Sequence, residues 1–386
     1  MTSQIINPLS QARQSDINAC SLKWSPIIGS TVSVAFTSTK LAIMQKAADA
    51  PTEFAPLADQ NLIVTAFEFA RAYALAVTDS LHGLFASPSS FFGPLPVLTA
   101  FCLGALILSW RARAHAQPLS LGALWRSVFP PEIWRHGSAR RDIAIIVIND
   151  GILFFIPLIA IVIVHLAVPV AGVATASGAA SAPSTLEMIA YGVFIALAWD
   201  FFASYAHYLK HKIPLLWEFH KVHHSAEVLT PLTALRRHPF ETFISQLIVG
   251  FGLAAANFLW FVLFGAPGST MQVGGLALII YLWRLLGYNL RHSHIWISYG
   301  PLWNNILISP AHHQLHHSRD PKHYDCNFGH IFSFWDRLFG THYPPTEKEN
   351  FEFGIDREEN AELRSLRALY VRPVLRACAR LRGRVH

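Results

Sequence analysis

Apolar residues fall in long runs separated by short charged loops. Residues 94–110, 143–168, 186–206, 243–264 and 271–290 each predict a bilayer-crossing helix, because about 17–25 largely apolar residues suffice to span the hydrocarbon core. The last two runs are joined by the short uncharged turn GAPGST and predict a hairpin that crosses and returns. Segment 61–85 has a helical pattern broken by Glu68, Arg71 and Asp79, which predicts a helix on the membrane surface, with a span as the alternative. The count is therefore about five, within four to six. Residues 1–60 are polar and aperiodic, lack the basic stretch and apolar core of a secretory signal, and read as a mobile tail.

Charge orients these spans. The loop 111–141 carries six Lys/Arg and one acid, Glu132, which places it in the cytoplasm, whereas 169–185 has no charge and reads as outward. Parity then puts 207–242 and 291–386 on one cytoplasmic face. The expected fold is an all-α integral membrane protein with a helical cap on that face. Its organisation reads as a tail 1–60, a surface helix 61–92, spans in 93–206, a histidine-rich region 207–342 enclosing the hairpin 243–290, and a basic tail 343–386. Residues 362–386 hold seven arginines among Leu, Ala and Val, which fits either a basic amphipathic helix on anionic headgroups or a solvated positive tail.

Composition agrees with lipid as the solvent: 52% of residues are hydrophobic and 14% charged, with a mean hydropathy of +0.34. The four cysteines, Cys20, Cys102, Cys326 and Cys378, form no Cys-x-x-Cys pair, which excludes a disulfide framework and a thiolate zinc site. A net charge of +6 is accounted for by arginines flanking spans, and no nucleic-acid recognition motif accompanies it. The unusual count is histidine: 20 in all, of which 15 lie between His207 and His342.

Three clusters stand out: HYLKH (His207, His211), HKVHH (His220, His223, His224) and HHQLHH (His312, His313, His316, His317). On a helix, positions i, i+3 and i+4 share a face, so each His-x-x-His-His set is expected to turn its imidazoles one way and close around a metal. Imidazole suits iron, zinc, copper or nickel. Together the clusters offer more imidazoles than the four to six donors one ion takes, which implies two ions. The clusters contain no carboxylate, unlike the Glu-based ligand sets of soluble di-iron bundles.

From Asp200 through HYLKHKIPLLWEFHKVHHS and LRRHPFE to RHSHIWISYGPLWNNILISPAHHQLHHSRDPKHYDCNFGHIFSFWDRLFGTHYPP, the chain resembles the sterol desaturase and fatty acid hydroxylase superfamily over about 150 residues. The resemblance implies an integral membrane enzyme with a histidine-only centre of two iron ions that uses O2 to hydroxylate or desaturate a lipid. It implies His207, His211, His220, His223, His224, His292, His313, His316 and His317 as ligands. Tyr208 stands where many members have Arg, and His292-Ser293-His294 where many have His-Ser-Asn. Residues two apart on a helix are about 200° out of phase, so His292 is taken as ligand and His294 as a neighbour or surface residue. His312 is left in the same position beside His313. His238, a lone histidine before proline, is expected to be a hydrogen-bonding partner, with metal ligand as the alternative. Asp200, Asp325, Asn327 and Asp336 are expected to orient ligand imidazoles through the free ring N–H, with helix capping and surface solvation as their alternative. No separate acid or base is assigned.

The chain shows no GxGxxG, no haem-attachment motif and no iron–sulfur cysteine set, so two electrons must come from an external donor such as a b-type cytochrome, a ferredoxin or a reductase. Two other readings remain. A membrane metal-dependent hydrolase would need a general base, and no His-Glu-x-x-His is present. A metal transport or binding protein would need polar ligands inside the spans, where Asn149 and Asp150 are the obvious candidates.

Overall fold

The computed structural model describes most of residues 71–153, together with 184–265, 282–285 and 288–383. The tail 1–60, most of the outward loop 169–185, the far half of the second expected span and most of the fifth lie outside the described residues. The described residues are mostly helical. The elements that place the site are α1 (Pro94–Ala114), α2 (Leu121–Val128), α3 (Gly137–Leu153), α4 (Thr185–Lys212), α5 (Pro214–His224), α6 (Pro239–Phe264), α7 (Pro310–His316), α8 (Phe334–Phe339) and α9 (Leu366–Leu381). Among them α1, α4 and α6 are long and apolar enough to cross a membrane. Of segment 61–85, the described residues from 71 onward are helical, and Ser80 Oγ donates to Asp150 Oδ1 on α3 at 2.6 Å.

Helix α4 begins at a capping box, in which Ser184 Oγ accepts from Glu187 N while Glu187 Oε2 accepts from Ser184 N. It stops because Ile213 precedes a proline and is extended, and Pro214 then opens α5 at the position where a missing N–H costs nothing. At about 1.5 Å per residue, α4 is about 42 Å long, some two turns more than the roughly 30 Å hydrocarbon core requires. Those extra turns carry His207 and His211 beyond the end expected at 206.

Helices α4 and α6 pack through Tyr191, Ile195, Ala196, Trp199, Ala256 and Trp260. At Gly252 they approach so closely that a Cβ would sit 2.2 Å from the Phe202 ring, which explains the glycine. The opposite faces present Leu186, Phe251, Phe258 and Phe264 outward, as a helix facing lipid does. Ile331 from the C-terminal half joins the same core. It is held there by Asp200, which accepts from Ile331 N at 2.7 Å, Phe332 N at 3.1 Å and Trp335 Nε1 at 2.8 Å.

Candidate metal centre

The nine expected ligand residues converge in two adjacent groups. His207, His211, His220, His224 and His316 form one; His223, His292, His313 and His317 form the other, and within each group the candidate ligand atoms lie within 4.8 Å of one another. The clusters are therefore not one per metal, which corrects the expectation from sequence. Each His-x-x-His-His set straddles the two groups: α5 gives His220 and His224 to one and His223 to the other, and the second set gives His313 and His317 to one and His316 to the other. The reason is helical phase. Residues i and i+4 diverge by about 40°, whereas i+3 lies about 60° to the other side of i, so a triplet placed on a seam feeds both sides of it.

Chain segments far apart supply the remaining parts. His292 sits in an irregular turn, not a helix, tied down by Gln314 Nε2 donating to Ser293 O at 2.7 Å and Ile295 O at 3.0 Å. His292 and His294 are therefore not related by helical phase, contrary to the expectation from sequence. The turn nonetheless points them apart, because the His294 ring meets Ser127 O on α2 at 2.8 Å.

The outward edges of the rings are fixed by acceptors. His207 Nδ1 donates to Phe328 O at 3.0 Å, His316 Nδ1 to Cys326 O at 2.7 Å and His220 Nδ1 to Glu241 Oε1 at 2.9 Å. His211 Nδ1 faces Asp325 Oδ1 at 3.5 Å. With the proton held on Nδ1, each Nε2 turns a lone pair inward. His220 and His224 bring their Nε2 atoms to 3.2 Å, as do His223 and His292, and His313 and His317; for His292 and His313 the separation is 2.8 Å. The Nε2 atoms of His211 and His316 are buried with no hydrogen-bond partner. A cation would satisfy so many buried ring nitrogens turned on one another. Imidazole nitrogens about 2.0–2.1 Å from an ion stand at most about 4.2 Å apart, close to the observed spread. The donor set fits two metal ions.

Burial, and then neighbouring positive groups, pushes His220, His223, His224, His292, His313, His316 and His317 well below the ordinary imidazole range. These rings are thus neutral at physiological pH, the state that ligates. Their surroundings are dry: Phe328 packs on the His207, His211 and His316 rings at 5.5, 4.7 and 5.6 Å, and Trp217 covers His211 and His224 at 5.0 and 5.4 Å.

Of the side chains expected to orient imidazoles, Asp325 faces a ligand ring; it also takes Lys212 Nζ at 2.7 Å, and the His211 bond and Lys212 hold its carboxyl down at about 2. Asp200, Asn327 and Asp336 touch no ligand imidazole, which corrects that expectation. Asp336 accepts from Phe328 N at 2.6 Å, Gly329 N at 2.8 Å and Thr341 Oγ1 at 2.8 Å. Asn327, in the left-handed region at φ 58°, bonds His312 O and both backbone groups of Tyr343. A Cβ on Gly329 would lie 2.6 Å from Phe332 O and 2.7 Å from Asp336 Oδ2. The Asn-Phe-Gly turn is thus a backbone device that aims the Cys326 and Phe328 carbonyls at two rings. His238 caps α6, with its Nδ1 accepting from Phe240 N and its Nε2 donating to Tyr370 O at 3.2 Å. His312 bonds Ser309 Oγ through Nδ1 at 2.8 Å, outside both groups.

Three side chains at the centre were not singled out from sequence. Glu241 holds His220 and takes Lys210 Nζ at 2.8 Å. Arg291 Nη2 stands 3.0 Å from His313 Nδ1, and the guanidinium donates to the carbonyls of Gly329 and His330. Fully buried Arg236 donates to Val222 O, Ser225 Oγ and Asp142 Oδ1, each at 2.9 Å, and so fixes the end of α5 to α3. The available signals were position alone: Glu241 three residues after His238, Arg291 beside His292, Arg236 before the His-Pro.

Residues 192–341, which contain the whole centre, match the fatty acid hydroxylase family. The chain is 31% identical over 162 residues to alkylglycerol monooxygenase of Xenopus tropicalis, covering 42% of this chain and 32% of that protein. It is 27% identical over 291 residues to an ornithine lipid hydroxylase of Rhizobium tropici, covering 72% and 82%, and 29% identical over 163 residues to cholesterol 25-hydroxylase of Homo sapiens, covering 42% and 54%. Over this region the chain is thus similar to the sterol desaturase and fatty acid hydroxylase superfamily. Its matches span about a third of the length of the alkylglycerol monooxygenases. No solved structure matches it.

Proposed function

We propose that the protein is a membrane-bound oxidoreductase that hydroxylates or desaturates a C–H bond of a lipid, with one iron ion in each histidine group, O2 as co-substrate and electrons from an external donor. The observation that carries this reading is the pair of adjacent all-imidazole groups set where α4 outruns the hydrocarbon core. The relatives named above, which act on chemically diverse lipids, support it. When bound, the two ions supply oxygen activation and abstraction of a substrate hydrogen.

The chain's own residues do the rest. The carbonyls of Cys326 and Phe328, with Glu241 and Asp325, hold ring protons on Nδ1 and so keep Nε2 free. Phe328 and Trp217 exclude water from the first group. Arg236 and Asp200 lock the elements that bring residues 207–224 against 292–317. In this reading 207–342 is the catalytic region, about five spans including a hairpin over 243–290 carry it, and the site opens on the cytoplasmic side. Lipid extracts from cells with and without the protein, compared by mass spectrometry, test the reaction class. A lipid gaining one oxygen or losing two hydrogens supports it, and a hydrolysed lipid supports the metal hydrolase instead.

A further inference from the structure

The C-terminal helix α9 has two faces of different chemistry. Its inner face buries Leu369, Pro373 and Ala377 and sends Arg376 Nε and Arg380 Nε to Glu218 at 3.3 and 2.6 Å. Glu218 is fully buried on α5, the helix of His220, His223 and His224, and also takes Lys221 Nζ at 2.6 Å. Two arginines that the sequence reading gave to headgroups or solvent are therefore turned inward. The outer face carries Val371 (41% exposed), Val374 (43%), Leu375 (59%) and Leu381 (74%), with exposed Cys378 among them. At 100° per residue these five fall within one arc of about 120°, and exposed Arg367 and Arg382 stand in the same arc at its first and last turns.

The position of this face says what covers it. Tyr370 O accepts from His238 Nε2, at the N-cap where the membrane helix α6 begins, and Tyr370 Oη donates to Asn149 Oδ1 on α3 at 2.8 Å. The apolar arc thus continues the lipid-facing surface that starts with Phe240 on α6 and Val147 on α3, both partly or fully exposed. No Asp or Glu lies within α9. An apolar arc ended by arginines, level with the mouth of a span, complements an anionic bilayer surface: the side chains enter the acyl boundary while the guanidinium groups reach phosphates.

We propose that the outer face of α9 docks in the interface of an anionic bilayer and thereby pins the histidine-bearing helix α5, through Glu218, at a fixed depth relative to the lipid. The test uses the full chain with Cys20 and Cys102 replaced by Ser, spin-labelled on native Cys378, in nanodiscs of phosphatidylcholine and phosphatidylglycerol. Cys326 is buried and stays unlabelled. The comparison label is R372C in a C378S background, since Arg372 is exposed but off the arc. Collision with oxygen relative to a water-soluble nickel chelate is expected to be several-fold higher at 378 than at 372, and V374E/L375E is expected to abolish the difference while helicity is kept. Equal, nickel-favoured collision at both sites overturns the proposal, as does dipolar broadening at 378 that disappears on dilution with unlabelled protein, which would make a second copy the occupant.

Discussion

At the scale of single residues, the centre depends on which ring nitrogen keeps its proton. His223 and His224 are neighbours in sequence yet face different groups, so each substitution to Ala should cost a different ion. Bound iron is expected to fall from about two to about one per chain in either variant, with spectroscopic signatures of the remaining ion that differ between them. Identical signatures would mean that α5 serves one group alone. Glu241 is the charged acceptor behind His220, and E241Q keeps the shape while weakening that hold. Removing such a partner typically lowers metal affinity about 10–100-fold, measurable by chelator competition. Wild-type affinity in E241Q would show that Glu241 serves Lys210 and not the ring. The histidines were legible in sequence because their spacing is extreme. The acceptors behind them were not, because the Cys326 and Phe328 carbonyls belong to the backbone and any residue type supplies one.

At the scale of elements, the spans expected to begin at 186 and 243 start at Thr185 and Pro239, where a Ser184–Glu187 capping box and a proline set the first turns. The expected span ended at 206, because His207, Lys210 and His211 are polar, although they continue the helix out of the lipid. What locks α5 in place was invisible, since it depends on pairs 94 and 162 residues apart: Arg236 with Asp142, and Arg380 with Glu218. The Arg236–Asp142 pair is fully buried on both sides. Removing one partner leaves an uncompensated buried charge, so D142A is expected to cost about 3–5 kcal/mol. Unfolding of the metal-free protein should reveal this loss, and D142A/R236M should recover part of it. A loss below about 1 kcal/mol would contradict the role assigned to the pair.

At the scale of the whole molecule, two segments separated by α6 and the residues that follow it meet directly: Lys212 bonds Asp325, and His207 lies beside His316, with ring centres 4.6 Å apart. They must share a side of the membrane. Cysteines at Lys212 and Lys322, both exposed, should label only after permeabilisation, and one at Ser177 should label from outside. Labelling of both lysine positions from outside would invert the proposed orientation. Hydropathy made the shared side readable. The pairing of the two segments was readable only as parity, since no local pattern encodes a contact more than a hundred residues distant. The most direct test of the central claim supplies purified, iron-loaded protein with lipid, a reductant and oxygen-18-labelled O2. The account predicts reductant-dependent oxygen uptake, with label in any hydroxylated product or loss of two substrate hydrogens in a desaturated one. Turnover without air or reductant, with label entering from water, would contradict it, because a metal-bound hydroxide would then be the nucleophile.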